Sequence, residues 1–339
     1  MVCKRIDWLD IAKGLTILLV IIGHSVGELL RDVIYSFHMP LFFVLSCVTY
    51  NLSTNDEEYM KNSEKAFSRL FLAAVGIYVF RTVISIIRDF TNILSFTFYE
   101  WKQYWANIIN VFVGGSGLPI TIGDTKIAAI GIPWFLMALF FGRTLFDYLH
   151  LKLSNKHFCI SIALCSVIGV SIGRLQWLPF SFDIALAVQP LFMFGQWLKR
   201  YDMENKAVKT FIVSAVIWSA LFGFLDFVID SYLNLACRKY PSFPLCYACA
   251  IAGTMLVASF SQGVTKFKYL CKPIKYLGKN SLIMLWVHSF DHYYYFVYEV
   301  TEYDLVNAFI RVGVDLSVFA LVMILIEHMR KYKMNEKPA

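Results

Sequence analysis

Charge is what this sequence has least of. Only 16% of its 339 residues are Asp, Glu, Lys or Arg, while 58% are hydrophobic; soluble domains carry about 25% charged and roughly 45–50% apolar residues. One water-soluble core of this size could not hide so much apolar surface, and intrinsic disorder is excluded by the same numbers. Other absences narrow the field. No Gly-rich nucleotide loop is present, which argues against a kinase or ATPase. Cys246 and Cys249 form one CxxC, but no second pair or His partner has zinc spacing. The eight Cys therefore read as small apolar packing residues, and no metal is expected. Ten-residue alternating segments of a membrane β-barrel are missing. So are an internal repeat and halves of inverted topology, the usual sign of a secondary transporter. The first apolar run has a basic flank but no small-residue cleavage site after it, so it reads as a retained span.

What is there is a series of long apolar runs. A membrane crossing takes about 20 mostly apolar residues for roughly 30 Å of hydrocarbon. Such runs fall at 8–29, 34–52, 68–88, 131–150, 157–175, 182–199, 207–231, 244–263, 280–299 and 306–328. A segment facing lipid must satisfy its own backbone N–H and C=O groups, which makes these runs helices. The expected fold is all-α: one integral-membrane domain over residues 1–339, a bundle of about ten transmembrane helices, with a short basic tail at about 329–339. Lys and Arg collect on alternate connections, among them Lys4, Arg5, Lys61, Lys65, Arg69, Lys266, Lys268, Lys272 and Lys275, with few on the others (Arg31, Arg88, Lys102, Lys126, Arg174, Arg238 and Lys239). The positive-inside rule then places both termini in the cytoplasm. The same rule accounts for the net charge of +7, so the bilayer is the expected partner and nucleic acid is not. The connection 89–130, with Trp101, Trp105 and the run GGSGLP, would face outward, either as an interfacial helix or over a substrate site.

Charged groups inside spans cost at least about 2.5–3.5 kcal/mol each near the centre, so they mark function or pairing. The first run holds Asp7, Asp10, Lys13 and His24. Three helical turns take about 10.8 residues, so Lys13 and His24 share a face about 16 Å apart along the axis, and Asp10 sits one turn before Lys13. Snorkelling of Lys13 and an interhelical hydrogen bond at His24 are the plain alternatives; neither explains the shared face. His38 opens the second run at a depth near that of His24, and two converging imidazoles suit a general base or proton relay. Lys65 and Arg69, at i and i+4 where the third run is entered, suit either positive-inside charge or a clamp for phosphates. His288 lies within the ninth run, followed by Asp291 and His292.

These residues stand in familiar stretches: WLDIAKGLTILLVIIGH at 8–24, YSFHMPLFFVLSC at 35–47, SRLFLAAV at 68–75, IPWFLMALFFGR at 132–143, LPFSFDIALAVQPLFMFGQWLKR at 178–200 and GKNSLIMLWVH at 278–288. The chain resembles the integral-membrane acyltransferase family 3, in particular its fucose 4-O-acetylase-like branch. The resemblance implies a multi-pass protein of the bacterial inner or plasma membrane that moves acetyl from cytoplasmic acetyl-CoA to a hydroxyl of a surface polysaccharide or glycan precursor. It implies catalytic roles for His24, His38, Lys13 and Asp10, binding of the acyl-CoA by Lys65 and Arg69, and contact with the sugar acceptor by His288 and Trp134. Lys13 stands where the family often has Arg, Lys65 and Arg69 where it has paired arginines, and Cys47 where it has Gly. The rival class is a secondary transporter or lipid-linked sugar flippase, which would also use buried His, Lys and Asp.

Overall fold

Away from water, a backbone satisfies its own polar groups most simply as helix, and most of the described residues are helical. The computed structural model describes residues 6–88, 120–122, 125–127, 131–175, 177–291, 297 and 299–335. In order come α1 (Asp7–Gly23), α2 (Glu28–Tyr35), α3 (His38–Val48), α4 (Asp56–Ala66), a π-helical turn at Phe67–Phe71 and α5 (Leu72–Arg88). A small antiparallel hairpin follows, β1 (Ile120–Ile122) with β2 (Thr125–Ile127), Ile120 opposite Ile127. Then come α6 (Pro133–Lys152), α7 (Asn155–Leu175), α8 (Phe182–Ala187), α9 (Gln189–Leu198), α10 (Met203–Gly223), α11 (Leu245–Val264), α12 (Lys268–Lys279), α13 (Ser281–Phe290) and α14 (Asp304–Asn335). Trp101, Trp105 and most of the 89–130 connection lie outside the described residues.

Among the described residues, six helical stretches are long and apolar enough to cross a membrane: Glu28–Val48, Asp56–Ile84, Asn155–Leu175, Met203–Val228, Leu245–Val264 and Asp304–Tyr332. That is fewer than the ten expected. The four remaining runs overlap helices that are short, split or polar. α1 has 17 residues and carries Asp7, Asp10 and Lys13. α6 is 20 residues long but includes Arg143, Asp147 and Lys152. The run at 182–199 is divided between α8 and α9 at Val188, just before Pro190, and α13 has 10 residues. Broken or polar helices are tolerated where protein rather than lipid surrounds them. α1 fits that rule: it packs against α2, α3, α11, α12, α13 and α14. The outer helices instead present apolar side chains, such as Val208 and Val216 on α10 and Leu321 and Leu325 on α14, the surface a bilayer covers.

Two close approaches fix α1. A Cβ on Gly278 of α12 would overlap the Asp10 carbonyl, and one on Gly14 of α1 would overlap the Ile274 carbonyl. Small residues let helix backbones meet in this way. Lys275 of α12 also pairs with Asp7.

A second tie closes the structure over the far end of α1. Residues 229–244 form a loop whose Arg238 donates from Nε and Nη2 to both oxygens of Asp183, at 2.8 and 3.1 Å. Both side chains are buried, and the guanidinium lies 4.6 Å from the Trp177 ring centre. Breaking a buried pair from one side leaves an uncompensated charge and costs about 3–5 kcal/mol. Asp183→Ala is therefore expected to lower the stability of the full-length protein in detergent by that amount, read as the midpoint of thermal unfolding, with Asp183→Glu losing less.

Candidate active site

One cavity of about 790 Å³ runs through the bundle along α1. Lys13, Ile17, Val20 and His24 line it, one stripe of that helix. The opposite wall comes from α3 and the residues after it. His38 lies at the start of that helix and Tyr50 just past its end, both on the cavity. At 1.5 Å per residue this wall spans about 18 Å, matching the separation of Lys13 and His24. The cavity thus has two chemically different ends.

At one end the cations gather. Lys13, Lys65, Arg69 and Arg143 all line it. Lys65 closes α4, and Arg69 sits in the π-helical turn; such turns inside α-helices often mark functional sites. Asp147, fully buried, organises the facing wall. It accepts hydrogen bonds from the Tyr50 hydroxyl at 2.6 Å, the Ser53 amide at 2.8 Å and the Ser53 hydroxyl at 2.6 Å. Tyr50, so held, carries the Arg143 guanidinium 4.8 Å from its ring centre. Arg143 Nε is buried with no hydrogen-bond partner among the described residues. A guanidinium on the wall of a cavity suits an anion, because its fork of donors matches phosphate geometry.

At the other end the imidazoles gather around a tyrosine. Tyr35 Oη lies 3.1 Å from His24 Nδ1, and the Tyr35 ring is 4.7 Å, centre to centre, from His38. His38 Nδ1 donates to the Ile34 carbonyl at 3.0 Å, which leaves Nε2 as the acceptor nitrogen of a neutral ring. Behind His24, outside the cavity lining, the His288 ring lies 5.3 Å away, centre to centre, tilted by 31°. His288 Nδ1 donates to Asp291 at 2.8 Å and to Asp315 at 3.2 Å. Arg311 Nε donates to the same Asp291 at 2.7 Å, and its Nη1 to the His24 carbonyl at 3.2 Å. His288, Asp291 and Asp315 offer three ligand atoms within 4.8 Å of one another, close enough for a cation, but Arg311 already places a positive group there.

Six of the eight residues singled out from the sequence therefore share one cavity: Lys13, His24, His38, Lys65, Arg69 and Trp134. Trp134 lies nine residues before Arg143 on α6, about 13 Å along the axis toward the imidazole end. His288 reaches the site only through the ring of His24. Asp10 is buried in α1 and does not line the cavity. His292 lies outside the described residues. Sequence reasoning missed Tyr35, Arg143 and Asp315. Tyr35 could have been found, since it lies three residues before His38, across the short turn that joins α2 to α3. Arg143 and Asp315 were charged residues within apolar runs, the signal that had already marked Lys13.

The acyltransferase 3 family, described as an acyltransferase domain, matches residues 6–326. The chain belongs to this family and is a membrane acyltransferase. No curated protein and no solved structure matches it.

The Tyr35–His24 contact yields a direct test. A neutral hydrogen bond contributes about 0.5–1.5 kcal/mol, so Tyr35→Phe should lower kcat for acyl transfer roughly 2–10-fold and leave the KM for the acyl donor unchanged. Steady-state kinetics on the purified protein measure both.

Proposed function

We propose that the protein transfers acetyl from cytoplasmic acetyl-CoA to a sugar hydroxyl on a surface polysaccharide or glycan precursor, as in the fucose 4-O-acetylase-like branch that its motifs resemble. The observation that carries this reading is one continuous cavity with cations at one end and two imidazoles at the other. A donor with phosphates at one terminus and a thioester at the other suits such a channel. Lys65, Arg69 and Arg143 take the phosphates, the pantetheine arm passes Lys13, and the thioester reaches His24. With the protein in the cell membrane and its N-terminus inside, the cationic end meets the cytoplasm, where acetyl-CoA is found.

His24 is the general base. With its Nδ1–H donating to Tyr35, Nε2 carries the lone pair. It takes the proton of the acceptor hydroxyl as that oxygen attacks the thioester carbonyl carbon. The C–S bond then breaks, the acetyl ester forms, and the CoA sulfur leaves with the proton from His24. His38 helps hold the acceptor or share the proton, and His288 positions the His24 ring. Base catalysis of this kind is worth about 10²–10⁴-fold; positioning of the two reactants supplies a further large part.

His24→Ala should therefore reduce CoA release from acetyl-CoA by about 10²–10⁴-fold at saturating donor, followed with a thiol reagent. Lys65→Ala combined with Arg69→Ala should raise the KM for acetyl-CoA tenfold or more, since charge-assisted hydrogen bonds contribute about 1.5–3 kcal/mol each. Full activity in the first variant removes His24 from the chemistry. An unchanged KM in the second removes the clamp.

A further inference from the structure

His24 lines two cavities. Beside the donor channel lies a second, smaller one of about 420 Å³, bounded by His24, Ser25, Glu299, Thr301, Asp304, Asn307 and Arg311, with Val26 its one apolar side chain. No sequence motif pointed to it. The two cavities differ in charge. The donor channel is lined by Lys13, Lys65, Arg69 and Arg143, with Glu58 as its one acidic side chain. The second holds two exposed carboxylates, Glu299 and Asp304, against a single guanidinium.

Its walls are built before any ligand arrives. Asn307 Oδ1 accepts from the Val300 amide at 3.3 Å, the Thr301 amide at 3.1 Å and the Thr301 hydroxyl at 3.0 Å, and its Nδ2 donates to the Thr301 carbonyl at 2.7 Å. These bonds hold the 299–303 loop against α14. On the other side Arg311 donates to the Ser25 hydroxyl at 2.7 Å and to the His24 carbonyl at 3.2 Å, so the floor is fixed to the backbone of the general base.

We infer that this second cavity is the acceptor site, that it takes a neutral polyhydroxylated ring, and that Glu299 and Asp304 set its specificity. The inference rests on the acetyl-transfer reading above. Carboxylates accept hydrogen bonds from sugar hydroxyls, and a polar pocket with a few fixed groups is what orients such a ligand. The same carboxylates repel phosphates and uronates. Charge thus sorts the substrates: the anionic donor enters by the cationic channel, the neutral acceptor by the acidic one, and they meet at the shared imidazole. The hydroxyl gives its proton to His24, and the acetyl passes from sulfur to oxygen.

The test uses the full chain in lipid nanodiscs, acetyl-CoA as donor, and two probes: methyl glycosides of neutral hexoses and the matching methyl glycosides of hexuronic acids. In the wild type the neutral glycosides should accelerate CoA release and the uronides should not. Glu299→Gln with Asp304→Asn should raise the KM for the neutral glycoside about tenfold or more and leave the KM for acetyl-CoA unchanged. It should also raise kcat/KM for the uronide relative to the neutral sugar by about tenfold. The wild-type comparison stands even if the double variant does not fold. Equal acceleration by both probes, or a variant with an unaltered glycoside KM, overturns the assignment while leaving the acetyl-transfer reading intact. A wild type that releases CoA with no probe and modifies none of them overturns both.

Discussion

A helix that carries Asp10, Lys13 and His24 along its length cannot face lipid, and the bundle is arranged around that constraint. Ionisable groups in a membrane are kept where other groups or water can meet them. α1 accordingly lies inside, packed on α2, α3, α11, α12, α13 and α14. The close backbone approach at Gly14 and Gly278 is what allows so many neighbours. With α1 enclosed, its polar stripe has only a protein-lined cavity to face. The cavity is thus the consequence of burying a polar helix, and its length is set by the distance from Lys13 to His24.

The two ends of that cavity are organised by different means. The cationic end depends on a buried acceptor. Asp147 gathers Tyr50 and Ser53, and Tyr50 in turn supports Arg143, so one carboxylate out of the channel's reach fixes a guanidinium within it. The imidazole end depends on rings in contact, with Tyr35 between His24 and His38 and the 229–244 loop held over them by Asp183 and Arg238. Leu233, Asn234, Leu235, Ala236 and Cys237 of that loop complete the wall. The family assignment defines the chemistry as acyl transfer; on the function proposed above, the two ends would take the two halves of the donor.

Much of this was legible in the residues. The three-turn spacing of Lys13 and His24 survives folding because a helix preserves local geometry, and both side chains do line one cavity. The apolar runs overlap helices for the same reason. Pairings that span many residues were not legible. Asp315 meets His288 across 27 positions and Asp183 meets Arg238 across 55, distances at which periodicity carries no information. The π-helical turn holding Arg69 and the break between α8 and α9 depend on how helices fit together. Hydropathy alone also treated all apolar runs alike. It could not separate the six helices that suit lipid from shorter or more polar ones enclosed by protein.

The group behind His24 raises a question of sign. Asp291 and Asp315 bring two negative charges, and Arg311 cancels one. His288, held between the two carboxylates, balances the other, so the cluster is close to neutral a ring's width from His24. On the acyl-transfer reading its part is positional: the carboxylates fix the His288 ring, and that ring and the Arg311 bond to the His24 carbonyl hold the imidazole as it takes the hydroxyl proton. A divalent cation on the same three side chains would add to the positive charge of Arg311 and oppose that step. The arrangement of Arg311 on Asp291 therefore suits a positioning group better than a metal site, and it ties the orientation of His24 to the side chain that also forms the floor of the second cavity.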